Sequence, residues 1–268
     1  MTIWQAILLG LVQGLTEFLP VSSSGHIELG KALLGVEPSE DLAFTVAVHG
    51  ATVLSTILAL WPEIWGLLRG GIRFHWNNET QYLAKIILSM IPVAVVGLLW
   101  HDAIESLFAG NLLLVGCMLL VTALLLCATA FARPGRATPK STSSGPSYAS
   151  ALVMGIGQAI AVLPGLSRSG TTISLGLLTG TSRDVAAKFS FLMVLPPIIG
   201  MNLLELLKGN FSGSTVGSSA LLAGALAAFI SGYAACQWMI RLVRRGKLAW
   251  FALYCAAAGV LTIILHTL

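Results

Sequence analysis

Charge is what this sequence has least of. Only 10% of its 268 residues are Asp, Glu, Lys or Arg, against roughly 25% in soluble domains, which excludes an ordinary soluble globular protein. The 15 basic and 11 acidic residues leave a net charge of +4, too little for a basic nucleic-acid binder, so no nucleic-acid partner is expected. Cysteine is also sparse. Cys117, Cys127, Cys236 and Cys255 lie in apolar runs without CxxC spacing, which argues against a disulfide framework or a zinc site and leaves them as small core residues. In place of charge, 56% of the chain is apolar and 28 residues are glycine, and the mean hydropathy is +0.87. That hydrophobicity rules out disorder. Glycine is commoner in membrane helices than in soluble ones, and the composition predicts an all-α integral membrane protein.

A bilayer core about 30 Å thick needs about 20 apolar residues per helix. Six runs satisfy this, at roughly 42–61, 82–100, 111–132, 187–207, 218–240 and 249–266. Two regions do not. From Ile3 to Leu19, and again from Tyr148 to Leu163, an apolar run stops at a proline, passes a Ser/Gly cluster and resumes for about a dozen residues. Non-helical backbone at bilayer depth must be buried in protein or line a wet cavity, so both regions read as re-entrant helix-break-helix hairpins. The start of the chain lacks a basic segment and carries Gln13 and Glu17 in its apolar run, unlike a signal peptide.

Six spans and two hairpins put Arg69, Arg73, Arg133, Arg136, Lys140, Arg183, Lys188, Arg241, Arg244, Arg245 and Lys247 on one face. The positive-inside rule makes that face cytoplasmic, and both termini then lie outside the cytoplasm. Glu37, Glu40, Asp41, Asp102 and Glu105 fall on the outer face. A C-terminal reporter that works only in the periplasm should be active; one active only in the cytoplasm would overturn this topology.

The chain repeats itself at an offset of 145. Gln13 aligns with Gln158, Ser22-Ser23-Ser24-Gly25 with Ser167-Arg168-Ser169-Gly170, Gly35 with Gly180 and Phe44 with Phe189; only Pro20 and Pro164 are displaced by one. Residues 1–132 form a first repeat of one hairpin and three spans, 133–147 a Pro/Ser/Thr/Gly-rich cytoplasmic linker, and 148–268 the second repeat. An odd number of crossings inverts the second repeat, and in inverted repeats the broken helices meet near the midplane and build a site there.

The first hairpin reads Gln13-Gly-Leu-Thr-Glu17-Phe-Leu-Pro20-Val-Ser22-Ser23-Ser24-Gly25-His26. Gln13 and Glu17 share one helix face. A carboxylate at this depth is a functional candidate by default, unless it is protonated or only caps the break. The helix restarting after Pro20 offers free N–H groups, so Ser22 to Gly25 form an anion cradle, with plain N-capping the alternative for any one serine. His26, three residues past Ser23, is within reach of its hydroxyl. In the second hairpin, Pro164-Gly-Leu-Ser167-Arg168-Ser169-Gly170-Thr-Thr172, Arg168 is the one arginine deep in the membrane. Its planar fork suits phosphate oxygens; the alternative is a salt bridge to Glu17 that only joins the hairpins. Together these groups suit phosphoryl chemistry better than ion conduction.

QGLTE around Glu17, FLPVSSSGH from Phe18 to His26 and PGLSRSGTT from Pro164 to Thr172 closely resemble the signatures of undecaprenyl-diphosphate phosphatases of the bacitracin-resistance type, over the whole chain. That family's first motif is Glu/Gln-x-x-x-Glu, of which Gln13 is the Gln form, and Glu28 has no place in the pattern. The resemblance implies hydrolysis of undecaprenyl diphosphate to undecaprenyl phosphate in the bacterial plasma membrane, recycling the cell-wall lipid carrier and conferring bacitracin tolerance. The tail would lie between spans and the diphosphate would enter from the periplasmic face. Arg168, Ser167, Ser169, Gly170 and Thr172, with Ser22, Ser24 and Gly25, would hold phosphate. Ser23 is the expected nucleophile, deprotonated by His26 or Glu17; attack by a water activated by Glu17 is the competing route. A divalent cation, Mg²⁺, is expected on Glu17 and Gln13, a role in tension with Glu17 as base.

A transporter or lipid flippase is the rival reading, since inverted repeats with broken helices are a common transporter plan. A homo-oligomer is compatible with the sequence. His49 and His101 read as structural. Gly10-x-x-x-Gly14 and Gly176-x-x-x-Gly180 read as close-packing motifs, and Trp4, Trp61, Trp65, Trp76, Trp100 and Trp250 as interfacial anchors.

Overall fold

The computed structural model describes residues 1–36, 42–72, 75–100, 112–132, 144–207 and 216–267. Most of the predicted linker 133–147 lies outside these residues, as do His101, Arg73, Arg133, Arg136, Lys140 and the outer-face acids Glu37, Glu40, Asp41, Asp102 and Glu105. Every regular element among the described residues is helical: α1 (Ile3–Phe18), α2 (Ser23–Leu34), α3 (Leu42–Ala59), α4 (Trp61–Gly71), α5 (Asn78–Leu99), α6 (Leu112–Ala128) with a 3-10 turn over Thr129–Phe131, α7 (Tyr148–Ile160), α8 (Arg168–Leu178), α9 (Arg183–Met193), α10 (Leu195–Leu207), α11 (Ser218–Arg244) and α12 (Ala249–Thr267).

Both hairpins form where the sequence predicts them. Thr2 and Gln5 make a reciprocal capping box at the start of α1. The helix ends at Leu19, whose extended backbone (φ −72°, ψ 144°) is what a residue before proline prefers. α2 restarts from Ser22, whose hydroxyl accepts from the Gly25 N–H, and α8 restarts from Ser167, which accepts from Gly170 N–H. Ile3 and Tyr148, then Ser23 and Arg168, open helices 145 residues apart. Gly35 (φ +63°) and Gly180 (φ +83°) end α2 and α8 in the left-handed region. There an L side chain is disfavoured and glycine is the usual terminator. Gly180 has open space around its Cα, so it is a helix stop rather than half of a packing motif. Gly10 does pack as expected: a Cβ there would come within 2.2 Å of the Gly224 carbonyl oxygen.

Among the described residues five segments are long and apolar enough to cross a bilayer, α5, α6 with its 3-10 turn, α9 with α10, α11 and α12; α3 and α4 meet the same test only when taken together, and they are bent by 78°. Two expectations change here. The span placed at 42–61 stops at Ala59, and the first half of the stretch between the first two predicted spans is α4. Pro62 is the cause: it fits a helix's first turn but breaks an interior. Trp61 and Trp65 stack at 5.9 Å along the new direction. The span placed at 187–207 begins at Arg183 and is broken at Val194, just before Pro196 and Pro197.

α11 runs on to Arg244, so Arg241 and Arg244 form its last turn rather than a loop, where cations complement the helix dipole. Arg244 Nε donates to Asp184 Oδ1 at 2.6 Å, and Lys188 Nζ to Glu63 at 2.8 Å, which clips α11, α9 and α4 together on the basic face.

The two repeats pack across each other. α1 lies on α11 and α7 on α5; α3 lies on α11 and α9 on α5; α6 pairs with α12. Large apolar side chains such as Leu98, Leu124, Ile230 and Leu253 are exposed, as a lipid-facing belt requires. Of the four cysteines expected in the core, Cys236 and Cys255 are buried, whereas Cys117 and Cys127 are exposed on α6. An apolar run does not reveal which face meets lipid. The chain is an all-α, multi-pass membrane protein.

Candidate active site

The breaks of the two hairpins meet. Glu17, on the last turn of α1, is 8% exposed, and each of its oxygens has a task. Oε2 accepts from Ser23 Oγ at 2.8 Å and from Gln13 Nε2 at 3.0 Å. Oε1 is ion-paired to Arg168 Nη2 from the other repeat. One carboxylate therefore holds a serine hydroxyl on one side and a guanidinium on the other. Arg168 Nη1 is buried and makes no hydrogen bond to the described residues. Ser169 Oγ donates to Leu19 O at 3.1 Å, and Ser167 N–H donates to Thr122 Oγ1 at 3.0 Å. These two bonds tie the second hairpin to the first and to α6.

The pair forms part of the wall of a cavity of about 450 Å³. Ser22, Ser23, Ser24, Ser167, Arg168 and Ser169 supply its polar end, and Val46, Val93, Val162, Ile198 and Met201 its apolar walls. Thr45, His49, Asn202 and Glu205 also line it. A second void, of about 20 Å³, touches the same ion pair and is bounded by Thr52, Thr56, Ser169 and Ser190.

Not every predicted site residue faces the cavity. His26 does not line it. Its Nδ1 lies 2.8 Å from Ser22 O, its Nε2 meets the Tyr254 hydroxyl, and the two rings stack at 5.6 Å. Thr172 is buried, bonded to Arg168 O at 2.8 Å and to Ser190 Oγ at 2.6 Å. Gly25 and Gly170 give their N–H groups to the capping serines, Ser22 and Ser167. Glu28, unplaced by sequence, pairs with Lys31 at 2.8 Å.

Conversely, His49 lines the cavity where a structural role was expected, and Gln158 and Asn202 join it. For His49 the signal was present. Thr45, His49, Thr52 and Thr56 recur at helical spacing down the largely apolar α3, a polar stripe on one face. Thr45 and His49 reach the large cavity, Thr52 and Thr56 the small void.

No group of three or more His, Cys, Asp or Glu side chains converges among the described residues, so a self-sufficient metal cage is not what this site offers. A cation bound mainly by substrate phosphates needs only one or two protein oxygens. Glu17 lines the cavity and supplies such oxygens; Gln13 Oε1 is fully buried and without a partner among the described residues but lines neither void, and its own amide is bonded to Glu17. That donor set fits a substrate-borne divalent cation.

A carboxylate-held serine, a guanidinium with a free donor and a cavity with an apolar wall form a site suited to an amphiphile bearing phosphate. The family model for bacitracin resistance protein BacA matches residues 6–261. A protein of Bacteroides fragilis named undecaprenyl-diphosphatase is 49% identical over 268 residues, covering 99% of this chain and 98% of the relative. One of the same name from Christiangramia forsetii is 50% identical over 266 residues, 98% of each chain. Another from Methanosphaera stadtmanae is 38% identical over 278 residues, again 98% of each. The similarity runs end to end and takes in both hairpins, and the chain belongs to the bacitracin resistance protein BacA family.

Proposed function

We propose that this chain hydrolyses undecaprenyl diphosphate to undecaprenyl phosphate and inorganic phosphate, with Ser23 as nucleophile, Glu17 as its base and Arg168 as the phosphate clamp. The observation that carries the residue assignment is the Glu17 carboxylate, which accepts from Ser23 Oγ at 2.8 Å while paired to Arg168. A base must lie within hydrogen-bond reach of the proton it removes. His26, engaged with Ser22 and Tyr254, lacks that support. The transporter reading is not favoured, because the similar curated proteins carry the name of a diphosphatase.

Glu17 takes the Ser23 proton as Oγ attacks the terminal phosphorus. The bond from that phosphorus to the bridging oxygen breaks, and undecaprenyl phosphate leaves. Water then cleaves the phosphoserine and releases inorganic phosphate. Arg168, through Nη1, neutralises charge on the equatorial oxygens as the phosphoryl group transfers. Ser24, Ser167 and Ser169 line the same end and orient those oxygens. Ser22, Gly25, Gly170 and Thr172 act by setting the two helix starts on which Ser23 and Arg168 stand. The apolar wall receives the first isoprene units, and the tail leaves between helices into lipid.

Ser23→Ala tests the nucleophile. Phosphate release by the purified protein in detergent should fall about a thousandfold or more, the scale on which loss of an activated nucleophile is felt. Acid quenching of the unaltered enzyme with β-³²P-labelled substrate should leave label on protein. Substantial residual turnover in Ser23→Ala would instead assign the attack to water activated by Glu17.

Gln13 and Glu17 would hold Mg²⁺, which when bound supplies Lewis-acid neutralisation of the diphosphate. Gln13→Leu should therefore raise the Mg²⁺ concentration giving half-maximal activity by about tenfold, the cost of one lost oxygen contact. An unchanged Mg²⁺ requirement would remove Gln13 from the ligand set. The enzyme works in the plasma membrane with its cavity open to the periplasmic face and both termini outside the cytoplasm, a reading supported by the basic residues of the opposite face. There it recycles the cell-wall lipid carrier and confers bacitracin tolerance.

A further inference from the structure

Gln158 sits on the last turn of α7 and lines the main cavity beside Ser167, Arg168 and Ser169. It is 3% exposed, and both its Nε2 and its Oε1 meet no hydrogen-bonding partner among the described residues. Its repeat counterpart is Gln13, which gives its Nε2 to Glu17 at 3.0 Å. One turn further on, where the first repeat has Glu17, the second has Val162. Among the described residues the amide of the second repeat thus has no carboxylate to bind, and it is left unsatisfied in a residue that lines the cavity. A buried amide left unsatisfied costs about 1–3 kcal/mol, and a native protein tolerates that chiefly where something completes the bonding.

We infer that Gln158 is a substrate-contacting residue whose Nε2 donates to a non-bridging oxygen of the diphosphate, opposite the serine and carboxylate of the first hairpin. The inference rests on the diphosphatase reading and extends it. The chemistry selects phosphate over a cation. The nearest repeat-equivalent carboxylate is replaced by Val162, and the charged neighbour in the same hairpin is the Arg168 guanidinium. An amide donor beside an arginine is a binding set for an anion. The second hairpin thereby contributes recognition through two side chains, one charged and one neutral.

The test is steady-state hydrolysis of undecaprenyl diphosphate by purified Gln158→Leu and Gln158→Glu in detergent, with inorganic phosphate as competitive inhibitor. Leu fills the buried space and removes both polar atoms; Glu keeps the shape, removes the donor and adds negative charge. For Gln158→Leu, KM and the phosphate inhibition constant should rise together by about tenfold while kcat changes by less than about threefold, the signature of a lost binding contact. Gln158→Glu should be worse than Gln158→Leu on both constants. Unchanged constants in Gln158→Leu, or phosphate bound more tightly by Gln158→Glu than by Gln158→Leu, would overturn the assignment. If the Leu variant is not monodisperse, Gln158→Asn, which withdraws the amide by one methylene, should show the same paired rise, and its absence would overturn the assignment equally. Failure of the unaltered protein to release phosphate would defeat the diphosphatase reading itself. Normal release with indifferent Gln158 variants would defeat only this inference.

Discussion

Glu17→Gln is expected to lower kcat for phosphate release by about a thousandfold or more, from loss of the general base together with its hold on Arg168. The substitution is nearly isosteric, so Ser23 retains a hydrogen-bonding neighbour and the hairpin break keeps its volume. What disappears is the proton acceptor and the negative charge. Arg168, ion-paired to Oε1 in the unaltered chain, then faces a neutral amide at depth. Removing one partner of a fully buried pair costs about 3–5 kcal/mol, because the other charge is left uncompensated; Arg168, whose side chain is 24% exposed, loses less than that. A second, independent reading is therefore available: the melting temperature in detergent should fall for Glu17→Gln and recover when Arg168 is also neutralised. A Glu17→Gln enzyme within tenfold of the unaltered kcat would exclude Glu17 as the base.

Arg168→Lys should be nearly as damaging as Arg168→Ala, with losses of about three to five orders of magnitude in kcat/KM, the range associated with arginines that stabilise a transferring phosphoryl group. The reason is geometric. Nη2 is committed to Glu17 while Nη1 has no partner among the described residues, so one guanidinium holds the base and offers a donor to phosphate at once. A lysine ammonium is a single point charge and cannot serve both in a fixed plane. The double variant Glu17→Gln/Arg168→Lys should be little worse than either single change, since residues acting as a unit are strongly non-additive. Fully multiplicative losses would mean that the two side chains act separately.

Much of this site is legible in the sequence. The prolines and Ser/Gly clusters place both breaks, and the register of 145 carries the first helix of each hairpin and its restart to matching positions. Glu17 and Arg168 stand out because apolar surroundings make any charge conspicuous. Other features depend on quantities a linear pattern does not hold. Which side of α2 faces the cavity depends on helix rotation, which turns His26 toward Tyr254 and out of the cavity wall. His49 reads as structural in sequence, although its threonine companions at helical spacing mark the cavity face of α3. Pro62 reads as a span end, but the 78° turn into α4 depends on what α4 packs against. Gln158 attracts notice only as half of an alignment until its lack of partners is seen.

The register that makes the repeats recognisable sets Ser23 opposite Arg168 and Glu17 opposite Val162. The halves are not two copies of one site: Ser23 and Glu17 lie in the first and Arg168 in the second. This division constrains biogenesis. Before the halves dock, Glu17 and Arg168 each lack the partner that neutralises them, which costs several kcal/mol at depth. Docking the halves neutralises both charges in one step, so closure of the fold and assembly of the reaction centre are the same event. A chain stalled after the first repeat would be both unseated and inert.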